Sequence, residues 1–385
     1  MPTPGLAFAF ALATVIAAFG LVVAPSAGAA TRLLGVTQIS ALGSETCAVI
    51  TGGAVRCWGA NDHGQLGNRA THDSELPVGG TGLSGITQVA SGSISTCARL
   101  STSRVACWGA NGFGQLGVTP SSQSLLPITV PGLTGVTRIA AGVPTTCAIV
   151  TGGTVKCWGV NTTGALGNGT TVDSHTPVTV SGVSGATQIV IGAGFACALV
   201  SGGRVTCWGS NTFGQLGNGT TTASSTPVSV TGVSGATEIS ANAVHVCAVM
   251  AGGTVRCWGS NLAGELGNGT MNSSPVPVTV ISLAGAVHVA AGAFHTCALI
   301  TGGTVRCWGA NGHGELGGGL LIDSPRPIGG TGLVGVVQLV AGGAHTCARL
   351  PDGTVKCWGA NGHGELGNGT WVNSTQPRTV LLHTW

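Results

Sequence analysis

Charged side chains are scarce: Asp, Glu, Lys and Arg make up 6% of the 385 residues, and the formal net charge is only +3. The 14 basic residues are scattered and form no run, so the sequence gives no electrostatic case for binding nucleic acid or an anionic membrane. The 11 acidic residues are scattered too. No paired carboxylates, and no nucleophile with a distinctive base, stand out, which argues against an enzyme. Past the first thirty residues nothing has helical spacing, and no later segment reads as a transmembrane helix. Glycine, in contrast, is abundant at 68 residues, and Val, Ile, Leu and Trp recur at regular places. Together these read as tight turns between buried strands.

The first thirty residues differ from the rest. Leu6 to Val23 is an unbroken stretch of Leu, Ala, Phe, Val, Ile, Thr and Gly, followed by Pro25 and the small-x-small site Ala27-Gly28-Ala29. This predicts a secretory signal peptide over residues 1–29, cleaved after Ala29, and a secreted or cell-surface protein with no membrane span after cleavage. Met1 to Gly5 carries no Lys or Arg, so retention of the apolar stretch as an anchor is the competing outcome.

The cysteines reveal the organisation. They fall at 47/57, 97/107, 147/157, 197/207, 247/257, 297/307 and 347/357, each pair ten apart and fifty after the last. Trp58 to Trp358 and Pro77 to Pro377 keep the same register. After a short segment at 30–35, seven units run at 36–85, 86–135, 136–185, 186–235, 236–285, 286–335 and 336–385. In the third unit VTRIA, TCAIV, TVKCW and PVTV are four short strands rich in β-branched residues, with Gly152-Gly153 turning the second into the third. Four antiparallel strands per unit predict an all-β fold, a seven-bladed β-propeller. With one unit per blade, Trp385 would end beside blade one without an exchanged strand.

The three-residue loop from Thr51 to Gly53 sets Cys47 opposite Cys57, close enough for a disulfide. The same holds for Cys97–Cys107, Cys147–Cys157, Cys197–Cys207, Cys247–Cys257, Cys297–Cys307 and Cys347–Cys357. Each closes a small loop and contributes at most roughly 2–3 kcal/mol; seven suit an oxidising compartment. Two thiols per blade are too few for zinc, and no metal or other cofactor is predicted. Alternation puts Val55 and Cys57 on one face of the third strand and Arg56 and Trp58 on the other, with the invariably small Ala48 diagonal to Trp58. The basic residue two before Trp (Arg56, Lys156, Arg256, Arg306, Lys356) reads as a stem lying along the sheet. In the loop after each Trp, Asn61, Gly64 and Gly67 suit left-handed backbone and Leu66 tucks the loop onto the blade.

These units resemble the repeat of the regulator of chromosome condensation family. The seventh shows it in His345-Thr346-Cys347-Ala348-Arg349-Leu350, Asp352-Gly353-Thr354-Val355-Lys356-Cys357-Trp358-Gly359, Asn361 and Gly364-Glu365-Leu366-Gly367. The resemblance covers Val36 to the C-terminus and implies a seven-bladed propeller. The family's founding activity, guanine-nucleotide exchange on a nuclear GTPase with chromatin binding, sits poorly with an export signal and with cysteine pairs that depart from the usual family pattern. Secreted bacterial members, one of which inhibits β-lactamase by covering it with a propeller face, are the nearer functional parallel.

Differences between units concentrate on the face carrying the first-to-second turn and the third-to-fourth loop. One column reads Glu45, Ser95, Thr145, Phe195, His245, His295 and His345; another reads His63, Phe113, Thr163, Phe213, Ala263, His313 and His363. With Trp371 in the last loop, the residues Phe113, Phe195, Phe213, His245, His295, His313, His345, His363 and Trp371 form the predicted recognition surface. Glu265, Glu315 and Glu365 share a column with Gln and suit loop hydrogen bonding. The sequence thus predicts a monomeric, non-enzymatic scaffold for a protein partner, acting as an inhibitor, adhesion or surface-interaction module. The alternatives are an exchange regulator, a carbohydrate-binding propeller, and a propeller hydrolase or lyase. Exported protein denatured without reductant is expected to show no reactive thiol; titration of 14 would overturn the predicted pairing.

Overall fold

The computed structural model describes Met1 and residues 30–382; the predicted leader lies outside the described residues. Seven four-stranded antiparallel sheets, each drawn in chain order from one fifty-residue unit, form a seven-bladed propeller. In blade three the strands are Val136–Ala141, Thr145–Val150, Thr154–Gly159 and Ser174–Thr179. The first strand of each blade lines a central channel and the fourth faces outward.

All seven predicted disulfides are present. Cys47 lies opposite Cys57 in the ladder, and Cα separations across the seven pairs are 4.0–4.1 Å, as for directly opposed residues of a close strand pair. Strand alternation then decides what meets between blades. Cys47, Val49, Val55 and Cys57 of blade one share a core cluster with Ile86, Val89, Ala98 and Trp108 of blade two. One blade's disulfide therefore packs among the next blade's Ala and Trp, and the core lies between the sheets. Each indole N–H also donates across the interface to a backbone carbonyl: Trp108 to Gln65, Trp158 to Gln115, and on round the ring to Trp58 and Glu365, all at 2.7–3.0 Å. Burying one indole, roughly 200 Å² of surface, contributes on the order of 5 kcal/mol before the entropy of ordering.

Near the channel a second device joins the blades. An innermost strand is an edge strand, with backbone groups that need partners. Gln38 supplies them for blade two: its amide oxygen accepts the Val89 N–H at 2.7 Å and its amide nitrogen donates to the Val89 carbonyl at 2.9 Å. Gln88, Gln188 and Gln338 do the same for Ile139, Ile239 and Ile39.

The ring does not close as the sequence suggested. Thr31–Arg32 pairs antiparallel with Leu381–Leu382, and the Leu33 N–H donates to the Val380 carbonyl at 3.1 Å. A small strand exchange therefore exists. Its reason lies in register: Leu33 stands fifty residues before Leu83 and one hundred before Leu133, in the connector between blades. It is buried among Cys347, Val355, Leu366 and Val380 of blade seven, as Leu133 is among Cys97, Val105, Leu116 and Val130 of blade two. Leu33 thus does for the interface of blades seven and one what Leu133 does for that of blades two and three. Leu33→Ala and Leu133→Ala should each cost about 2–5 kcal/mol. Urea unfolding should show Leu33→Ala to be at least as damaging, because only that interface has no covalent connector.

Candidate functional site

Antiparallel order brings the first-to-second turns and the third-to-fourth loops to one face, here the upper face; the Gly-Gly turns and connectors form the lower. In the upper loops Asn61 is buried and acts as a hub. Its side-chain oxygen accepts the Leu66 N–H at 2.9 Å, and its amide nitrogen donates to the carbonyls of Ala70 and His72 at 3.0 and 2.9 Å. The expectation that Asn61 supplies left-handed backbone is corrected: positive φ belongs to Gly59, Gly64, Gly67 and Arg69. Gly67 is required twice over, since φ is +68° and a Cβ would lie 2.8 Å from the Trp108 indole nitrogen. Leu66 is fully buried, as predicted. The side chains of Gln65, Gln115, Gln215, Glu265, Glu315 and Glu365 each accept the backbone N–H two residues earlier, at 2.8–3.0 Å. The glutamates are loop-builders.

The first predicted column does not reach the surface. Phe195, His245, His295 and His345 are buried, with Glu45, Ser95 and Thr145. The physical reason is parity: residue 45 shares its strand face with Cys47, and that face packs on the next blade. His245 Nε2 meets the Thr296 hydroxyl at 2.9 Å, His295 meets Thr346 at 2.9 Å, and His345 meets Thr46 at 2.7 Å. Thr296 and Thr346 spend their single hydroxyl proton on the Glu265 and Glu315 carbonyls, so His245 and His295 must donate from Nε2. Burial lowers the pKa of both to about 4 and lowers that of His345 as well. These imidazoles are neutral spacers between blades. Glu45 takes the equivalent place in blade one, where burial pushes its carboxyl well up.

The second column does reach the upper face. Phe113, His313, His363 and Trp371 are exposed and Phe213 is half-buried, but they lie on different blades. His313 Nδ1 faces Glu315 at 3.1 Å. His363 Nδ1 meets Asp73 of blade one at 2.7 Å, and that hydrogen bond raises its pKa. A denser group went unread in the sequence. Leu262, Met271, Phe294, Leu320, Leu321, Ile322, Trp371 and Val372 are exposed apolar residues on the upper loops of blades five to seven. The signal was there in the repeat columns: Thr71, Ser121, Thr171 and Thr221 give way to Met271, Leu321 and Trp371. Beside them a cavity of about 560 Å³ opens, walled by Phe294, His313, Glu315 and Asp323 and floored by Gly43 and Gly343.

Inside the channel, His288 Nδ1 lies 2.5 Å from Glu238, and Nε2 lies 2.6 Å from the Leu339 carbonyl. A carbonyl only accepts, so Nε2 carries a proton. Burial alone would lower the His288 pKa, but the hydrogen bond and charge of Glu238, with the Leu339 carbonyl, outweigh it and raise the pKa. Among the described residues no group of three His, Cys, Asp or Glu is placed to hold a metal ion.

Residues 21–286 match the family model described as RCC1-like domain, and residues 286–315 and 336–365 match the regulator of chromosome condensation (RCC1) repeat. Among solved structures, the chain is similar to Prp20p of Saccharomyces cerevisiae, whose reported binding properties concern Gsp1p and histones (20% identity, 91% of this chain and 87% of that one, TM-score 0.74). It is also similar to human WBSCR16 (23% identity, 84% and 93%, TM-score 0.75). A more distant likeness is the CRINKLY ectodomain of the Arabidopsis thaliana receptor kinase ACR4 (19% identity, 85% and 98%, TM-score 0.51). No curated protein matches in sequence.

The buried histidines give a pH dependence of fixed sign. Their folded pKa values lie below the unfolded value of 6.5, so the unfolded state binds more protons and stability falls as pH drops from 6.5 towards 4. From neutrality to about pH 5, His245 and His295 should each remove about 2 kcal/mol. His295→Gln, which keeps a donor for Thr346 but cannot ionise, should flatten the profile by that amount in urea titrations at the two pH values.

Proposed function

Because this chain belongs to the family of RCC1-like domains, we propose that it is an exported, non-enzymatic scaffold that binds a protein partner through the upper face of blades five to seven. The observation that carries this reading is the clustering of exposed apolar residues there, from Leu262 round to Val372, beside a preformed cavity. Large exposed apolar patches on a soluble surface mark interaction sites, and aromatic residues anchor such interfaces. The neighbour Prp20p, whose reported binding properties concern Gsp1p and histones, supports reading a propeller of this shape as a protein-recognition scaffold. The disulfides suit an oxidising compartment, in keeping with export.

The rigid loop scaffold supports such a role. Asn261, Asn311 and Asn361 hold their loops through backbone bonds, so the apolar residues are presented at little cost in ordering. Trp371→Ala and Leu321→Ser remove exposed side chains and should leave the melting temperature unchanged. Each should weaken capture of the partner from extracellular extracts by about 30-fold or more, the scale of a hot-spot loss. Phe113→Ala, on blade two, should have little effect. Equal weakening by all three, or by none, would discard this sector as the site.

A further inference from the structure

The basic residues scattered along the sequence are gathered in space. Five blades carry one at the Arg56 position of the third strand; blades two and four, which have Ala106 and Thr206 there, carry Arg104 and Arg204 two residues earlier. Positions two apart point to the same side of a strand. Every blade therefore contributes one cation at the level where its third strand starts or just below it, Arg104 and Arg204 lying about 7 Å nearer the lower hairpin turn than the Arg56 position. That level is the lower rim: Arg256 pairs with Thr279, the last residue of the fourth strand, and its guanidinium donates to the Gly232 carbonyl in the lower connector at 2.8 Å. Arg138, on an innermost strand, and Arg32, paired beside the end of the outermost strand of blade seven, are exposed on the same face. Of the acidic residues only Glu238, tied to His288, and Asp352 lie at this end. Among the described residues no Lys or Arg forms an ion pair with a carboxylate.

Two further observations bear on what this face meets. Leu34, Val287, Val334 and Val337 are exposed among the cations. The chain also enters the ring here, since Thr31–Arg32 lies in the lower connector layer.

We propose that the lower face docks flat on a bilayer bearing anionic phospholipid headgroups. A planar array of phosphates meets a ring of cations all at once, and exposed aliphatic residues between the cations find a place at the headgroup boundary. A linear polyanion would track the rim and leave the aliphatic residues unused. A second copy offering its upper face would meet the cations with only a few exposed carboxylates, Asp62, Asp173 and Asp323, set on different blades and not in a ring, with Glu265 and Glu315 already buried in loop bonds. This role is separate from the upper-face reading: docking below leaves the upper face pointing away from the membrane.

The test is sedimentation of the full chain with vesicles of phosphatidylcholine, with and without phosphatidylglycerol. A leader retained on the chain would act on both vesicle types, so the readout is the ratio between them. Binding should favour the anionic vesicles and fade as salt rises. Arg104 and Arg204 are exposed and make no side-chain hydrogen bond among the described residues, so Arg104→Gln and Arg204→Gln should fold normally, and each should lower the ratio about fivefold. Val334→Ser should weaken anionic binding, and Arg69→Gln, on an upper loop, should leave the ratio unchanged. Equal binding to both vesicle types, or equal effects of Arg69→Gln and Arg104→Gln, would overturn the proposal. So would either of two reassignments. One is tight binding to soluble polyphosphate with no effect of Val334→Ser, which points to a free polyanion. The other is salt-sensitive self-association without vesicle binding, which points to a second copy.

Discussion

The bond from each Trp indole to the carbonyl of residue 65 or its equivalent in the preceding blade joins two levels of structure. The indole fills the space between sheets, where only a small residue such as Ala98 fits beside it. Its N–H emerges at the upper end of that space and fixes the loop that carries Leu66 and Gly67. A buried N–H without a partner costs on the order of 1–3 kcal/mol, so the loop cannot drift from the sheet without exposing that cost. Packing of the interior and geometry of the upper surface are therefore one constraint, met in every blade.

Once the loop is held at its base, its outer residues are free to vary. Asn61 closes the loop through the backbone carbonyls of residues 70 and 72, helped by the Asn68 side chain, and places no demand on the side chain at position 71. Thr71 and Trp371 can occupy the same place on the same frame. Change of surface chemistry between blades thus requires no change of fold: exposed apolar residues crowd the upper loops of blades five to seven, while blades two and three carry them singly, at Phe113, Val143 and Val172.

The fifty-residue period made most of the fold legible: strand order, cysteine pairing, the Gly turns and the burial of Leu66 all follow from one unit. The closure was missed because the period was counted from Val36, although Leu33 already stands in the column of Leu83. The burial of His245, His295 and His345 was legible but unread. Parity with Cys47 puts residue 45 on the inter-blade face, and Gly292, the first residue of the turn, leaves room for the ring there: a Cβ on it would lie 2.2 Å from the His295 ring. The partnership of His288 and Glu238 was not legible, because side-chain pairing across fifty residues depends on which way neighbouring inner strands face the channel.

Charge shows most clearly how the repeat transforms a sequence. Lys and Arg fifty residues apart look dispersed when read along the chain, and a search for basic runs finds none. In a closed ring the same interval is the distance to the equivalent point on the next blade, so a dispersed set becomes a belt. Blades two and four argue that the belt is more than a by-product of the repeat. They lose the basic residue at one position and regain it at Arg104 and Arg204, two residues away on the same side of the strand. The charge stays on the same side of the blade while its height moves by about 7 Å toward the lower turn, so what the seven blades share is a cation at the lower end of the third strand and not one fixed contact.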